Sequence, residues 1–249
     1  MQIVEYFLSL QGEGKFAGRL AIFIRLAGCN FNCSGFKVER EKNGKILVGC
    51  DTIRAVFTSE FKNEYKKLNK EELLQELKIL KKNFSPIVVI TGGEPTLWHK
   101  NDEFIGLVKE LQNLGLELHF ESNASIFIDF DKYSFYKDCI FALSVKLSNS
   151  GVLRQERLQE NTIKNIVKNS KESFYKFVLD EKFIKSGLAK KEIDEVLAIA
   201  DNEIFCMPMG KDEKELEKNA IEVAKFCIEN GYNYSDRLHI RLWGNKEGV

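Results

Sequence analysis

The sequence predicts an α/β protein whose parallel strands form an open or partial (β/α) barrel. Short β-rich segments alternate with segments of helical periodicity, which is the pattern of repeated β-α units. Several of the β-rich segments are continuous apolar runs, as expected for strands that are covered on both faces. The predicted strands are residues 3–8, 21–26, 87–91, 116–121, 140–145, 173–179, 203–208 and 238–243.

Helical segments lie between these strands. The clearest one is predicted for residues 70–82, preceded by Asn69, which forms a capping-box pair with Glu72. One face of this helix carries Leu73, Leu74, Leu77 and Leu80. Further helices are predicted for residues 102–113, 190–200 and 212–229. The sequence contains no internal repeat or long linker, so residues 1–249 are predicted to form a single domain.

The composition is that of an ordinary folded protein. Of the 249 residues, 44% are hydrophobic and 30% are charged. Lys plus Arg and Asp plus Glu both total 37, so no net field attracts nucleic acid or an anionic membrane, and a small-molecule substrate is expected. Because no apolar run reaches transmembrane length and the N-terminus lacks a signal-peptide pattern, a cytoplasmic location is predicted.

The six cysteines fall into two groups. Three stand alone in apolar or helical segments and are predicted to be buried core residues: Cys139, Cys206 and Cys227. The other three follow a predicted strand, with Cys29 and Cys33 separated by three residues and Cys50 following after sixteen more. A four-iron cluster held by three thiolates leaves one iron open to a further ligand, so this second group indicates a catalytic metal centre.

Residues 34–49, between Cys33 and Cys50, are predicted to form a hairpin inserted into the cluster loop. Asn43-Gly44 is the strongest two-residue hairpin signal, because both turn positions require positive φ. Such a hairpin would bring Cys50 back to Cys33. A zinc site is the alternative, but zinc usually takes four ligands. The candidates for a fourth ligand are distant in sequence: His99, His119 and His239.

Two other motifs stand where such sheets place their chemistry, at the ends of strands. In Gly92-Gly93-Glu94, the glycines would let the backbone approach a ligand. Taken alone, this segment is more often a strand-to-helix turn. The second motif, residues 10–14, reads Leu-Gln-Gly-Glu-Gly and precedes the strand that carries Arg25.

Together these motifs resemble the radical S-adenosylmethionine superfamily and, within it, the 7-carboxy-7-deazaguanine synthases. The superfamily motif is Cys-x3-Cys-x2-Cys, and Phe36 stands at the position of its third cysteine. Cys50-Asp51-Thr52 is instead similar to the Cys-Asp-Thr that closes the cluster loop in these synthases, some of which carry an insertion there. The resemblance extends over nearly the whole chain.

The resemblance implies three sets of site residues. The implied ligands are Cys29, Cys33 and Cys50 for a 4Fe-4S cluster, and Thr52 for Mg²⁺. The implied substrate-binding residues are Leu10, Gln11, Gly12, Glu13, Gly14, Arg25, Thr91 and Val249. The residues implied to bind S-adenosylmethionine are Gly92, Gly93, Glu94, Glu121, Asn123, Ser144, Val145, Lys146, Lys176, Phe177, Val178 and Leu179.

The resemblance also implies a reaction. It points to a lyase that converts 6-carboxy-5,6,7,8-tetrahydropterin to 7-carboxy-7-deazaguanine with release of ammonia, toward queuosine and other 7-deazapurines. A homodimer and an electron donor such as flavodoxin are implied as well. A glycyl-radical-activating enzyme is a rival hypothesis, although it gives no reason for Gln11, Arg25 and Thr52 to occur together. A non-catalytic zinc-binding module is the alternative from outside the enzymes.

Overall fold

A computed structural model of the chain describes residues 1–244, Lys246 and Gly248. Within this part of the chain the strands are β1 (Gln2–Leu10), β2 (Leu20–Leu26), β3 (Val38–Lys42), β4 (Lys45–Gly49), β5 (Lys66–Lys67), β6 (Ile87–Gly92), β7 (Leu118–Ser122), β8 (Ile140–Leu143), β9 (Glu172–Leu179), β10 (Ile204–Pro208) and β11 (Asn233–Tyr234). The helices are α1 (Ile53–Val56), α2 (Thr58–Phe61), α3 (Lys70–Lys81), α4 (Asp102–Asn113), α5 (Arg154–Arg157), α6 (Glu160–Asn169), α7 (Glu181–Lys185), α8 (Leu188–Ile199), α9 (Glu213–Asn230) and α10 (Leu238–Trp243).

The main sheet has nine strands in the order β11-β10-β9-β8-β7-β6-β2-β1-β5. From β2 through β6 to β11 every neighbouring pair is parallel, whereas β1 is antiparallel to both of its neighbours. In the described residues β11 and β5 end the sheet without pairing to each other, so the sheet is open. The predicted fold class, an α/β protein with an open or partial barrel, is confirmed.

The central strands are buried because helices cover them. Every residue of β6 is buried, which is why this segment reads as one continuous apolar run. On α4, four buried residues spaced along one face pack into the main core: Phe104, Leu107, Val108 and Leu111. Phe120 of β7 stacks on Phe141 of β8 with ring centroids 5.1 Å apart. This rigid core fixes the strand ends at which the candidate site is built.

Helix boundaries largely follow the local capping signals. Helix α3 begins at the predicted capping box, in which the Glu72 N–H donates to Asn69 Oδ1 at 2.9 Å and the Asn69 N–H donates to Glu72 Oε2 at 2.8 Å. Helix α9 begins after Asp212, whose side chain accepts from the Glu215 N–H, and ends at Gly231 in the left-handed region.

The strand predicted for residues 238–243 is wrong, because this segment is helix α10. Its alternating Leu, Ile and Leu residues have the spacing of a strand, but the backbone bonds are helical. The Gly244 N–H donates to the Ile240 carbonyl at 2.8 Å, and the Leu238 N–H donates to the Gly12 carbonyl at 2.9 Å. The neighbouring sheet edge is taken by β11, so tertiary contacts override the local pattern.

Strands β3 and β4 form a separate antiparallel hairpin in which Val38 lies opposite Gly49. Its turn has φ of 52° at Asn43 and 73° at Gly44, as the Asn-Gly dipeptide predicts. A second core cluster lies beneath the hairpin, with Leu47 of β4 packed among buried residues that include Phe61. The hairpin therefore belongs to the folded structure of the protein rather than to a loose loop.

At the base of the hairpin, residues 34–36 form a short 3-10 turn against residues 148–150. The two backbones are so close that a Cβ added to Gly35 would lie 2.2 Å from the Asn149 carbonyl oxygen. Glycine is therefore required at this contact.

None of the helices in the described residues combines the length and the apolar character needed to cross a membrane.

Candidate active site

The ends of the parallel strands surround an open cavity of about 850 Å³. Most of the residues implied by the family resemblance line this cavity, although they come from segments distant in sequence. The implied residues that line it are Leu10, Gln11, Gly12, Glu13, Arg25, Cys29, Cys33, Cys50, Thr52, Thr91, Gly92, Gly93, Glu121, Asn123, Ser144, Lys146, Lys176 and Val178. The fold thus brings residues from eight separate stretches of the sequence together around one cavity.

Five of the implied residues do not line the cavity. Phe177, Leu179 and Val145 are buried in the main core. Gly14 is buried, and its N–H donates to the Ser235 hydroxyl at 2.7 Å. Glu94 is buried just behind the cavity wall. Val249, an implied substrate-binding residue, lies outside the described residues.

The three clustered cysteines face the same cavity. Cys29 follows β2, Cys33 has left-handed backbone with φ of 52°, and Cys50 follows β4. Burial raises the pKa of Cys29 to about 12 and that of Cys33 to about 11, and it also raises the pKa of Cys50. Proximity adds to this effect, since charge on Cys50 raises the pKa of both other thiols. Binding of a metal centre must therefore release these protons.

No group of three or more His, Cys, Asp or Glu side chains in the described part of the chain is arranged around a single metal ion. A cubane cluster makes a different demand, because each thiolate binds a different iron and the sulfurs need only face a common space. Three free thiols lining one cavity meet that demand. The residues therefore fit an iron-sulfur cluster held by three cysteines.

Gly92 and Gly93 allow the end of β6 to touch the cysteine loop. A Cβ on Gly92, whose φ is 149°, would lie 2.3 Å from the Leu26 carbonyl oxygen. A Cβ on Gly93 would lie 2.3 Å from the Gly28 carbonyl oxygen and 2.6 Å from Cys29 Cβ. A side chain at position 93 would therefore displace Cys29. The two glycines allow the loops after β2 and β6 to pack closely.

Glu94 joins two segments behind the cavity wall. Its Oε1 accepts from the Thr96 N–H, the Thr96 hydroxyl and the Ser122 hydroxyl at 3.0, 2.6 and 2.9 Å. Its Oε2 accepts from the Asn123 N–H at 2.6 Å. Burial raises the pKa of Glu94, although these donors oppose the change. The carboxylate therefore orders the loops after β6 and β7.

A buried ion-pair network crosses the cavity floor. The Lys176 ammonium donates to Glu13 Oε2 and to Glu121 Oε1, each at 2.9 Å. Burial acts against the charge on Lys176, but the two carboxylates outweigh burial and raise its pKa. Burial likewise acts to raise the pKa of Glu13, but Lys176 and Arg237 hold it well below its ordinary value. Lys176 and its two carboxylate partners, Glu13 and Glu121, are therefore charged at neutral pH.

Arg25 is oriented by Glu5. Its Nε donates to Glu5 Oε1 at 2.8 Å, and its side chain lines the cavity. Burial acts to lower the pKa of Arg25, but Glu5 raises it above its ordinary value. With Nε engaged, the guanidinium is held in a fixed plane, which suits recognition of a carboxylate.

Sequence reasoning missed several cavity residues. Glu5 and Asp51 were not assigned roles, Arg237 was not singled out, and His239 was placed on a strand. His239 in fact lies in the first turn of helix α10, and its Nδ1 would be 2.4 Å from a Cβ added to Gly12. For Asp51 the one available signal was its adjacency to Cys50. Glu5 depends on the pairing of β1 with β2, in which it lies opposite Arg25, and Arg237 and His239 depend on contacts between the two ends of the chain.

Comparison with known proteins first defines the class. Residues 23–176 match the model of the radical SAM superfamily, to which the chain therefore belongs. The crystal structure of QueE from Escherichia coli is similar, with a TM-score of 0.62 and 21% identity over 96% of this chain and 94% of that one.

Full-length relatives narrow the class. The chain is 30% identical to the 7-carboxy-7-deazaguanine synthase of Rhodopirellula baltica over 99% of this chain and 88% of that protein. It is 28% identical to the 7-carboxy-7-deazaguanine synthase of Pyrobaculum aerophilum over 100% of this chain and 97% of that protein. The chain is a member of the 7-carboxy-7-deazaguanine synthase family.

Proposed function

We propose that this protein converts 6-carboxy-5,6,7,8-tetrahydropterin to 7-carboxy-7-deazaguanine and ammonia, as a lyase of 7-deazapurine and queuosine synthesis. One observation carries the proposal: the three clustered thiols, Arg25 and the Glu13–Lys176 pair all face a single cavity. A cluster site alone would fit many radical enzymes. The nearby charged groups are what a small anionic, nitrogen-rich substrate requires.

In this proposal Cys29, Cys33 and Cys50 hold a 4Fe-4S cluster. When bound, the cluster supplies the electron for reductive cleavage of S-adenosylmethionine, and this radical chemistry acts on the substrate. Thr52 contributes a hydroxyl to Mg²⁺, which prefers hard oxygen ligands and keeps several waters. The Thr52 Oγ1 lies 3.1 Å from Cys50 Sγ, so the two proposed metal sites are adjacent.

The substrate site is proposed to lie over the charged floor. Arg25 binds the substrate carboxylate, since its plane is fixed by Glu5. Glu13 and the backbone of residues 10–14 bind the polar edge of the pterin ring, together with Thr91. The Thr91 hydroxyl donates to Glu121 Oε2 at 3.0 Å, which fixes the orientation of this side chain.

The S-adenosylmethionine site is proposed to follow the ends of β6 to β9. Gly92, Gly93, Asn123, Ser144 and Lys146 line the cavity there. Lys176 and Val178 complete this wall, with Val145, Phe177 and Leu179 packed behind it in the main core. Glu94 is the proposed partner of the ammonium group. The Asn123 side chain also donates to Asn30 at 3.0 Å, which links this wall to the cysteine loop.

The proposal extends to organisation and partners. We assign residues 1–249 to one radical SAM domain with the hairpin at residues 34–49 as an insertion in the cluster loop. The electron donor is a flavodoxin-type protein, the enzyme is a homodimer, and it acts in the cytoplasm. Free thiols at all six cysteines, which lie within the described residues, support a reducing compartment.

The test is an anaerobic assay. The reconstituted protein is incubated with S-adenosylmethionine, a reductant, Mg²⁺ and the tetrahydropterin, and the products are analysed by mass spectrometry. The expected result is 7-carboxy-7-deazaguanine in many-fold excess over the enzyme. Cleavage of S-adenosylmethionine without this product would reject the substrate, and absence of both iron and cleavage would reject the enzyme class.

A further inference from the structure

We propose that Arg237 is a positioning residue that fixes the substrate loop, residues 10–14, and the end of the cluster loop, residues 50–52, relative to each other. That these loops bind substrate and metal rests on the proposed function, whereas the contacts of Arg237 are seen in the structure. Arg237 stands immediately before α10 and is 7% exposed, facing the cavity.

The guanidinium contacts three segments that are remote from one another in sequence. Its Nε donates to Glu13 Oε1 at 2.9 Å, and its Nη1 donates to the Gly210 carbonyl at 2.7 Å. Its Nη2 donates to the carboxylate of Asp51. A guanidinium is planar and carries five N–H donors, so one side chain can hold three acceptors in a fixed arrangement.

Both carboxylates held by Arg237 belong to the candidate site. Asp51 lies between Cys50 and Thr52, so fixing its side chain restrains the backbone that carries both neighbours. Glu13 is also bonded to Lys176 and so connects Arg237 to the ion pairs of the cavity floor. Rotation of this one side chain would uncouple the two loops from each other.

The contact between Arg237 and Asp51 is an ion pair in which the side chain of Arg237 is 9% exposed and that of Asp51 is 52% exposed. Solvent screens the Asp51 end of this pair, so its contribution to overall stability is small. The ion pair between Arg237 and Asp51 therefore fixes the positions of the two loops more than it stabilises the fold.

The segment around Arg237 also lies directly on the substrate loop. The Leu238 N–H donates to the Gly12 carbonyl at 2.9 Å, and the Gly14 N–H donates to the Ser235 hydroxyl at 2.7 Å. These bonds alone would anchor the segment to residues 12–14. They do not reach the cluster loop, and Arg237 supplies that connection through Asp51.

The test compares Arg237→Lys and Arg237→Met with Arg241→Lys. Lysine keeps the positive charge but can donate to fewer of the three acceptors. Methionine removes the charge and all of the hydrogen bonds. Arg241 is a matched control on α10 that bonds to Asp236. Amide hydrogen exchange is measured by mass spectrometry on the reconstituted protein, together with the dependence of turnover on Mg²⁺ and substrate concentration.

We expect amides of residues 10–16 and 48–56 to exchange faster in Arg237→Met, with α4 unchanged. The Mg²⁺ concentration for half-maximal turnover and the substrate KM should each rise about tenfold, as for loss of a charge-assisted hydrogen bond, with partial rescue by lysine. Unchanged exchange in these segments, or a uniform rise throughout the chain, would overturn the proposal. If the parent protein does not turn over the pterin, the proposed function fails while exchange still decides the role of Arg237.

Discussion

Glu94 accepts a hydrogen bond of 2.6 Å from the backbone N–H of Asn123, which joins the loop after β6 to the loop after β7. The other carboxylate oxygen is already surrounded by donors from Thr96 and Ser122. In the proposed role of Glu94, the ammonium group of the ligand meets a carboxylate whose position these donors already fix. Such preorganisation reduces the ordering cost of binding.

Glu94→Gln should weaken S-adenosylmethionine binding at least tenfold, or about 1.4 kcal/mol. The amide places an N–H₂ group where the carboxylate accepts hydrogen bonds, so one of the loops must shift. Isothermal titration calorimetry on the reconstituted protein measures the affinity, and iron content should be unchanged. Glu110→Gln, on the exposed face of α4, is the control. Equal affinities in the parent and Glu94→Gln would remove Glu94 from the site.

Cys50→Ala should prevent assembly of a complete cluster, because two thiolates cannot hold a cubane that normally has three protein ligands. Iron and acid-labile sulfide are measured after anaerobic reconstitution. Cys139→Ala is the matched control, since Cys139 is buried in the main core away from the cavity. Iron, sulfide and turnover at the parent level in Cys50→Ala would show that the third ligand is another residue.

Gly44→Ala should lower the occupancy of the cluster site, because it strains the turn of the hairpin that brings Cys33 and Cys50 together. Gly44 has φ of 73°, and an added Cβ would meet no atom within 4 Å, so the cost is backbone strain of about 1 kcal/mol. Gly187→Ala is a close control, because Gly187 has φ of 76° and equally open surroundings before α8. Both variants should lose similar stability in urea unfolding.

Only Gly44→Ala should also lose iron faster to a chelator, because its turn joins the strands that lead to Cys33 and Cys50. Equal rates of iron loss from the two glycine variants would mean that the hairpin does not position the cysteines.

Thr52→Ala should retain the cluster but raise the Mg²⁺ requirement for turnover several-fold, since a hard hydroxyl ligand is lost. Thr52→Ser keeps the hydroxyl and should restore most of the parent Mg²⁺ dependence. The experiment is a Mg²⁺ titration of turnover for the three proteins at equal iron content. A titration curve that is identical for Thr52→Ala and the parent would exclude the threonine as a ligand.

Glu117 should contribute a pH-dependent part of the stability. Burial acts to raise the pKa of Glu117, but hydrogen bonds from His119 and Lys171 lower it to about 2. Because this folded-state pKa lies below the unfolded value of about 4.3, the stabilisation is present above about pH 4.3 and is lost as the pH falls toward 2.

Glu117→Gln should therefore reduce the free energy of unfolding most at neutral pH, and its difference from the parent should shrink on acidification. Urea unfolding of the metal-free chain at several pH values between 7 and 3 measures this difference. A difference that stays constant over that range would contradict the assigned pKa.

Local sequence signals were sufficient to predict elements whose conformation restricts the residue types that can form them. Burial on two faces requires the apolar run of β6, and positive φ favours Asn43-Gly44 at the hairpin turn, so both could be predicted. Helix α6 was not predicted because it is short and mostly polar, although its buried residues, Thr162, Ile163 and Ile166, lie on one helical face. A helix of this length is marginal alone, so packing against the sheet stabilises a pattern that the sequence does contain.

The candidate site was predictable for the motif residues and not for their partners. The sequence analysis did not predict that Glu5 would pair with Arg25, or that Arg237 would pair with Glu13, from which it is separated by 224 positions. Such ion pairs depend on how segments meet in the folded chain, and no local sequence pattern encodes them. The helical state of residues 238–243 was missed for the same reason, because contacts with Gly12 decide it.

The tight contacts at the base of the β3–β4 hairpin make the cluster loop unequally tolerant of evolutionary change. Gly35 abuts the Asn149 carbonyl, and a Cβ on Gly49 would lie 3.1 Å from the Asn32 carbonyl oxygen. The turn at the other end of the hairpin faces open space, because a Cβ on Gly44 would meet no atom within 4 Å, whereas Leu47 is packed in the second core cluster. The length of the insert at its turn is then free to vary among descendants of this protein, whereas Gly35 is not free to change.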